Sequence, residues 1–393
     1  MTAQLVKAGV LQRQTAALNE ALNEQNLPSG PAQASQGERR IEPLPPQHIQ
    51  NSYTCRFITE PYHENPDAYH LIAGADVTPK AGDVVLVRIV GIHNHKRVET
   101  EQSRKAILFD SNLVLLAYGN RYAADQFLAH VPENLDYCHL VAAGGIAGVV
   151  TESHEQMDDP TLIEPLGLLA TDKGVVNIIE TAPYANEARD SKPEGLPEVI
   201  AVLGTSMNSG KSTTMACLAN GLTKAGKKVG AGKITGTGAG NDRMIYHDAG
   251  AKEVIDFTDF GYGTTFKMDF EKIRDLTVNM IEVLAKEKAC DVVIVEIADG
   301  VYQTETARLL RDDLFKDIVD QVVFSAVDAL GARAGVQTLQ EAGLKVACAA
   351  GVMTASPLAT KEAADVLKDL NVPVIGTFEL TDKKVAAKLL SRV

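Results

Sequence analysis

VIAVLGTSMNSGKSTTMACLANGL, residues 199–222, decides how this chain is read. An apolar run ends at a glycine, a loop of small and polar residues follows, and Lys-Ser-Thr-Thr opens a helical pattern. Gly204, Gly210, Lys211 and Ser212 read G-x-x-x-x-x-G-K-S, the phosphate-loop pattern G-x-x-x-x-G-K-[ST] with one more residue between its glycines. Phosphate binding asks for these residue types. Glycines let backbone N–H groups curl around phosphate oxygens, and a helix N-terminus adds its dipole. The lysine neutralises β and γ charge, and the serine hydroxyl ligates Mg²⁺. The nucleotide-binding set is therefore Gly204, Thr205, Met207, Asn208, Ser209, Gly210, Lys211, Ser212 and Thr213.

Outward from this loop, residues 196–393 alternate apolar runs with helical stretches. Strands are expected at 199–204, 228–234, 291–297, 320–327, 344–350 and 372–377. Between them lie KSTTMACLANGLTKA, FEKIRDLTVNMIEVLAKEKA, ARAGVQTLQEA and TKEAADVLKDL. Continuous apolar strands separated by amphipathic helices imply an α/β domain with a mostly parallel, doubly wound sheet. Residues 51–195 have a different rhythm. Short Val/Ile-rich runs at 82–95, 111–119, 144–153 and 174–181 are bounded by Gly, Asp and Asn, which predicts a smaller β-rich domain, barrel or sandwich. RYAADQFLAHV (121–131) reads as its one helix. Residues 1–50 combine a short helical pattern (Leu5, Val10, Leu11, Leu18, Leu22) with a Pro/Gly/Ser/Gln-rich linker.

Composition narrows the function classes. The chain has 393 residues and a formal charge of −13, which argues against a general nucleic-acid binder. Five scattered cysteines without CxxC spacing fit reduced thiols, and no apolar stretch is long enough for a membrane span. The sequence-based expectation is a cytoplasmic protein with neither nucleic-acid nor membrane partners.

Several residues are placed to do chemistry. Glu296 ends the apolar run DVVIVE, where a carboxylate can hold Mg²⁺ directly or through water, with Asp299 a weaker candidate for that role or for a general base. Asp242 follows the second strand, and Lys233 ends it, at the carboxyl edge where open α/β sheets place ligands. The catalytic set is Lys211, Lys233, Asp242 and Glu296; the metal set is Ser212, Asp242 and Glu296. Arg243 and Arg333 are further candidate cations, and TGTGAG (235–240) is a further source of backbone donors or a lid. In the β-rich domain, His93 and His95 with His139 or His154 form a weak candidate metal group, whose ordinary reading is surface histidines.

The order LGTSMNSGKSTT, LTKAGKKVGAGKITGTGAGNDR, YHDAGAKEV, DVVIVEIADG resembles the dethiobiotin synthetase-like and MobB-like branch of P-loop NTPases over residues 198–305. From 306 to 393 the likeness is one of layout, and residues 1–195 share none of it. The chain departs where dethiobiotin synthetases read Val-Glu-Gly-Ala-Gly-Gly, having VEIADG instead. It also lacks the His-rich segment of MobB-like proteins and the early loop lysine of partition ATPases. No Asn-Lys-x-Asp guanine-reading motif occurs, so ATP with Mg²⁺ is the expected ligand. The resemblance implies an enzyme that transfers the γ-phosphoryl group to, or ligates, a small metabolite as second substrate. The alternative is a nucleotide-hydrolysing adaptor whose N-terminal domain docks a partner protein. It also makes a homodimer across the nucleotide site an expectation.

Overall fold

The computed structural model describes residues 30–391, so the helical pattern at 5–22 lies outside the described residues. Two sheets organise the molecule, one of eleven strands and one of six.

The six-stranded sheet is parallel throughout. Its spatial order is Glu253–Asp256, Val229–Lys233, Val292–Glu296, Glu198–Gly204, Gln321–Ser325, Val346–Ala350. Strand residues alternate between two cores, as pleating requires. Val199, Ala201 and Leu203 face one layer with Ile273, Leu276, Val336 and Leu339, whereas Ile200 and Val202 face another with Met215, Leu218 and Leu222. Helices thus cover both faces, the architecture of a P-loop NTPase. Five of the six expected strands are present. The sixth, 372–377, is replaced by a single bridge between Ala349 and Val374 before a 3₁₀ turn at Thr377–Thr381. Pro373 has no amide to extend a ladder there. Glu253–Asp256, too short to stand out in the sequence, takes the opposite edge.

In the N-terminal part, five strands of the larger sheet pair in a closed ring. Val84–Gly91 pairs with Leu113–Tyr118, which lies parallel to Ile146–Ser153. The ring continues through Cys138–Ala142 and Thr161–Thr171 back to Val84–Gly91. Val85, Val87, Ile89, Val114, Leu116, Leu140 and Ile163 fill one core, and Val84, Leu86, Leu113 and Leu115 pack outside it against Cys55, Ile58 and Ile178. Arg40–Pro43 and Ile49–Gln50, read as linker, pair with this sheet. The expected helix at 121–131 is instead a hairpin of Arg121–Tyr122 and Phe127–His130. The run at 174–181 keeps only Gly174–Val175 as strand and then turns into a 3₁₀ segment capped by Asn177. The five cysteines are buried and unpaired; burial pushes the Cys138 and Cys348 thiols up to about 12.

The two parts meet closely. Tyr53 donates its hydroxyl to Asp256 at 2.6 Å, and Arg56 and Arg243 both pair with Asp259, at 2.9 and 2.5 Å. Glycines of the two parts face one another here: a Cβ on Gly144 would lie 1.9 Å from the Gly238 carbonyl oxygen. Both walls are backbone and cannot yield as a side chain would. Gly144→Ala is therefore expected to cost about 1–3 kcal/mol through overpacking, read as a lower urea midpoint. An unchanged midpoint would mean that the two parts can separate without loss.

Candidate functional site

The phosphate loop joins Glu198–Gly204 to the helix Lys211–Lys224. Its conformation needs left-handed backbone at Asn208 (φ 60°) and Gly210 (φ 93°). At Gly210 a side chain would be strained by φ and also lie 3.2 Å from the Val352 nitrogen. Met207, Asn208, Gly210, Lys211, Ser212 and Thr213 line a cavity of about 610 Å³. Gly204, Thr205 and Ser209 stand behind it as support: Thr205 N donates to Ser325 O at 3.0 Å, and Ser209 is fully buried. The Ser209 hydroxyl has no partner among the described residues.

Lys211 is 7% exposed, and its Nζ donates to the Ser206 carbonyl at 2.8 Å. Burial holds its ammonium below the ordinary lysine range, while Glu296 and Asp299 pull the other way. It is held by a neutral acceptor of its own loop, which a phosphate oxygen can replace.

Lys233, Asp242 and Glu296 line the same cavity. Parallel pairing sets Lys233 directly beside Glu296. Lys233 Nζ bonds the Asp242 carboxylate and sits 3.6 Å from Glu296 Oε1. Burial alone would push Lys233 down; Glu296 and Asp242 overcome it and hold the ammonium above its usual range. Glu296 is only 2% exposed, and Tyr246 donates its hydroxyl to the other carboxylate oxygen. Burial and the Glu296 charge hold that phenol well above its ordinary value, so it remains a donor. Tyr246, on the helix Gly240–Asp248, was not anticipated from sequence, although its position four residues after Asp242 puts both on one helix face.

Burial pushes the Asp242 carboxyl up, but Lys233 and, less strongly, the Ser212 hydroxyl hold it below the ordinary range. Ser212 and Asp242 form a hard oxygen pair of the sort that holds Mg²⁺ together with substrate phosphates. No group of three His, Cys, Asp or Glu suited to a metal occurs among the described residues. Asp299 lines the cavity in a left-handed conformation (φ 64°), and burial raises its carboxyl above the ordinary range.

Of the other sequence candidates, Gly236, Thr237, Gly238 and Ala239 of TGTGAG and also His95 line the cavity; the rest lie elsewhere. Arg243 is committed to Asp259 at the contact between the two parts, and Arg333 makes a surface fork to Asp369 at 2.7 and 2.8 Å. His95 lines the cavity beside Arg121, His139 accepts from Val150 N, and His154 accepts from Gln156 N.

The far wall of the cavity comes from the N-terminal part: His95, Arg121, Tyr122, Ala123, Gln126 and Ala142. Two contacts tie it to the loop side. Asn208 donates to Asp125 at 2.8 Å, and Glu99 accepts from Gly240 N at 2.6 Å, at the start of the helix that carries Asp242 and Tyr246. Glu99, Arg121, Asp125 and Gln126 carry no sequence motif.

Solved structures similar to the chain include the signal recognition particle receptor FtsY from Elizabethkingia anophelis in complex with GDP. That likeness has 18% identity over 52% of this chain and 68% of that one, with a TM-score of 0.34. Signal recognition particle 54 kDa protein from Aeropyrum pernix K1, in complex with GDP, gives 19% identity over 55% and 50%, also with a TM-score of 0.34. Likenesses this distant bear on neither ligand nor activity. No family model matches the chain, and no curated protein matches it. The sheet order, the loop and its lysine make this a P-loop NTPase fold. Among the described residues no helix is long and apolar enough to cross a membrane.

Lys233→Met would leave the Glu296 and Asp242 carboxylates without their cation. The expected loss of stability is about 3–5 kcal/mol, with most of it recovered in Lys233→Met/Glu296→Gln. Chemical denaturation of the two variants checks this; equal losses in both would show that the pair is not coupled.

Proposed function

We propose that this protein is an ATP- and Mg²⁺-dependent enzyme that transfers the γ-phosphoryl group to, or ligates, a small second substrate. The observation that carries this reading is the shared cavity, with the phosphate loop on one side and the N-terminal part on the other. A docking module for a protein partner has no need to line the nucleotide cavity from within. The resemblance of residues 198–305 to dethiobiotin synthetase-like proteins supports the same class, and the missing guanine-reading motif supports ATP.

Each residue then has a task. The loop amides and Lys211 bind the β- and γ-phosphates, with Lys211 exchanging the Ser206 carbonyl for a phosphate oxygen. Ser212 and Asp242 would hold Mg²⁺, which supplies charge neutralisation when bound. Glu296 and Tyr246 fix Lys233 so that its charge faces the transferred group. Transfer breaks the bond between Pγ and the β–γ bridging oxygen and forms one from Pγ to an acceptor oxygen. The acceptor proton passes to a base, for which Asp299 is the candidate. Phosphoryl transfer asks for positioning and charge neutralisation more than covalent help, which this arrangement provides.

A nucleotide at 100 times its Kd stabilises a folded protein by about 2.7 kcal/mol, so thermal melting with Mg·ATP is a direct test. The melting temperature should rise in the parent protein and stay unchanged in Lys211→Ala, whose circular dichroism should match the parent. Equal stabilisation of both would overturn the phosphate-loop assignment. Turnover in a metabolite library separates transfer from adaptor: one acceptor should yield a new product stoichiometric with ADP. Slow hydrolysis indifferent to every acceptor would sink the transfer reading.

A further inference from the structure

Arg121 begins the hairpin whose tip reaches the phosphate loop. Its residue is 7% exposed, yet its side chain lines the cavity. The guanidinium donates to a neutral acceptor, Gln126 Oε1 at 2.7 Å, and lies 3.5 Å from His95 Nε2. Its Nε has no hydrogen-bond partner among the described residues. Asp125 acts on it through its charge alone: one carboxylate oxygen accepts from Asn208, and the other has no hydrogen-bond partner among the described residues. Burial brings the guanidinium down to about 10, so it is charged at neutral pH. Burial and Arg121 together push the His95 imidazole down to about 4, so His95 is neutral and adds no competing charge.

A buried cation without a carboxylate partner is expensive, and such groups are paired in most proteins. Of the other cations of this cavity, Lys233 has two carboxylates, and Lys211 has a loop carbonyl together with the charges of Glu296 and Asp299 acting on it. Arg121 has two neutral neighbours and free donor capacity. The support around it is rigid. Tyr122 packs on Phe266 with centroids 5.5 Å apart, and buried Phe127 packs on His95 at 5.9 Å. A planar fork of this kind, held in place beside open space, is suited to the two oxygens of a carboxylate or phosphate.

We propose that Arg121, steadied by Gln126 and His95, is the oxyanion-binding residue of a subsite on the N-terminal side of the cavity. Its ligand is the carboxylate or phosphate group of the second substrate. This rests on the transfer reading above and specifies the acceptor class: a small acid or phosphate ester. The nucleotide occupies the opposite wall, and the acceptor is held by its anionic group with its reactive oxygen toward the phosphate loop.

The test uses the full chain and the variants Arg121→Gln and Arg121→Lys, each checked by thermal melting. Calorimetry measures Mg·ADP, Mg·β,γ-imido-ATP, and inorganic phosphate and succinate titrated into the ADP-loaded protein. Arg121→Gln should bind both nucleotides as the parent does. It should bind whichever oxyanion the parent prefers about ten- to a hundredfold more weakly, and Arg121→Lys should fall between. Preference for succinate or for phosphate identifies which oxyanion the subsite takes. The proposal is overturned if neither probe binds the parent, or if Arg121→Gln binds them equally well. It is also overturned if imido-ATP weakens in Arg121→Gln by the same factor as the probes, since Arg121 would then serve the nucleotide's own terminal phosphate. Failure of the parent to bind either nucleotide would instead strike the reading above. In that case, titrating the same oxyanions into the nucleotide-free chain still decides whether Arg121 binds them.

Discussion

Cations meant for a phosphate must be kept charged and close without being paired off for good. Lys211 and Lys233 meet this constraint in opposite ways within one cavity. Lys211 is tied to a single neutral carbonyl, so a ligand oxygen replaces like with like and the hydrogen-bond count is unchanged. Lys233 is anchored by Asp242 and Glu296 and cannot leave. The first is an exchangeable donor, and the second is a fixed charge. Tyr246 makes the difference durable, because its hydroxyl occupies the Glu296 oxygen that would otherwise be buried without a partner.

The N-terminal part reaches this arrangement through its edges. Glu99 accepts the first amide of the helix Gly240–Asp248, the helix that delivers both Asp242 and Tyr246. Asp125 holds Asn208, one of the loop's two left-handed residues. Asp125 sits in the turn of a hairpin paired to Ile146–Ser153 of the ring, and the Glu99 amide donates to Ala143 O in the turn between two ring strands. A shift of the ring against the parallel sheet would therefore disturb loop and carboxylates together. The close approach of Gly144 to Gly238 leaves little room for such a shift. Rigidity of this kind suits a cavity that must place two ligands, because a displacement of about 1 Å can cost two orders of magnitude in rate.

Much of the α/β part was legible because each signal was local. Five apolar runs became strands, and the loop carried its chemistry in nine consecutive residues, Gly204 to Ser212. Lys233 and Glu296 could be placed because both end strands that the parallel sheet aligns at one edge. The N-terminal hairpin misled for a definable reason. RYAADQFLAHV holds three Ala with one each of Arg, Gln and Leu, all of which favour helix, yet Arg121, Ala123, Phe127 and Ala129 are buried while Tyr122 and Ala124 are exposed. That period of two was present but masked by helical composition and by a turn in its middle. Glu99, Arg121 and Tyr246 had no local signal, because their partners are set by how distant segments come together: Glu99 meets an amide 141 residues away.

The acidic balance of the chain and the cationic demand of a phosphate site are reconciled by distribution. A net charge of −13 would repel a nucleotide if it were spread evenly over the cavity. Here two of the cavity's carboxylates, Glu296 and Asp242, are spent on Lys233, and burial raises the carboxyl of the third, Asp299, above its ordinary range. Lys211 and Arg121 retain charge that carbonyl and amide oxygens only partly satisfy. An anion entering this space therefore meets two incompletely compensated cations, one presented by each part of the molecule. That division is the physical basis for reading the cavity as a place where two anionic ligands meet.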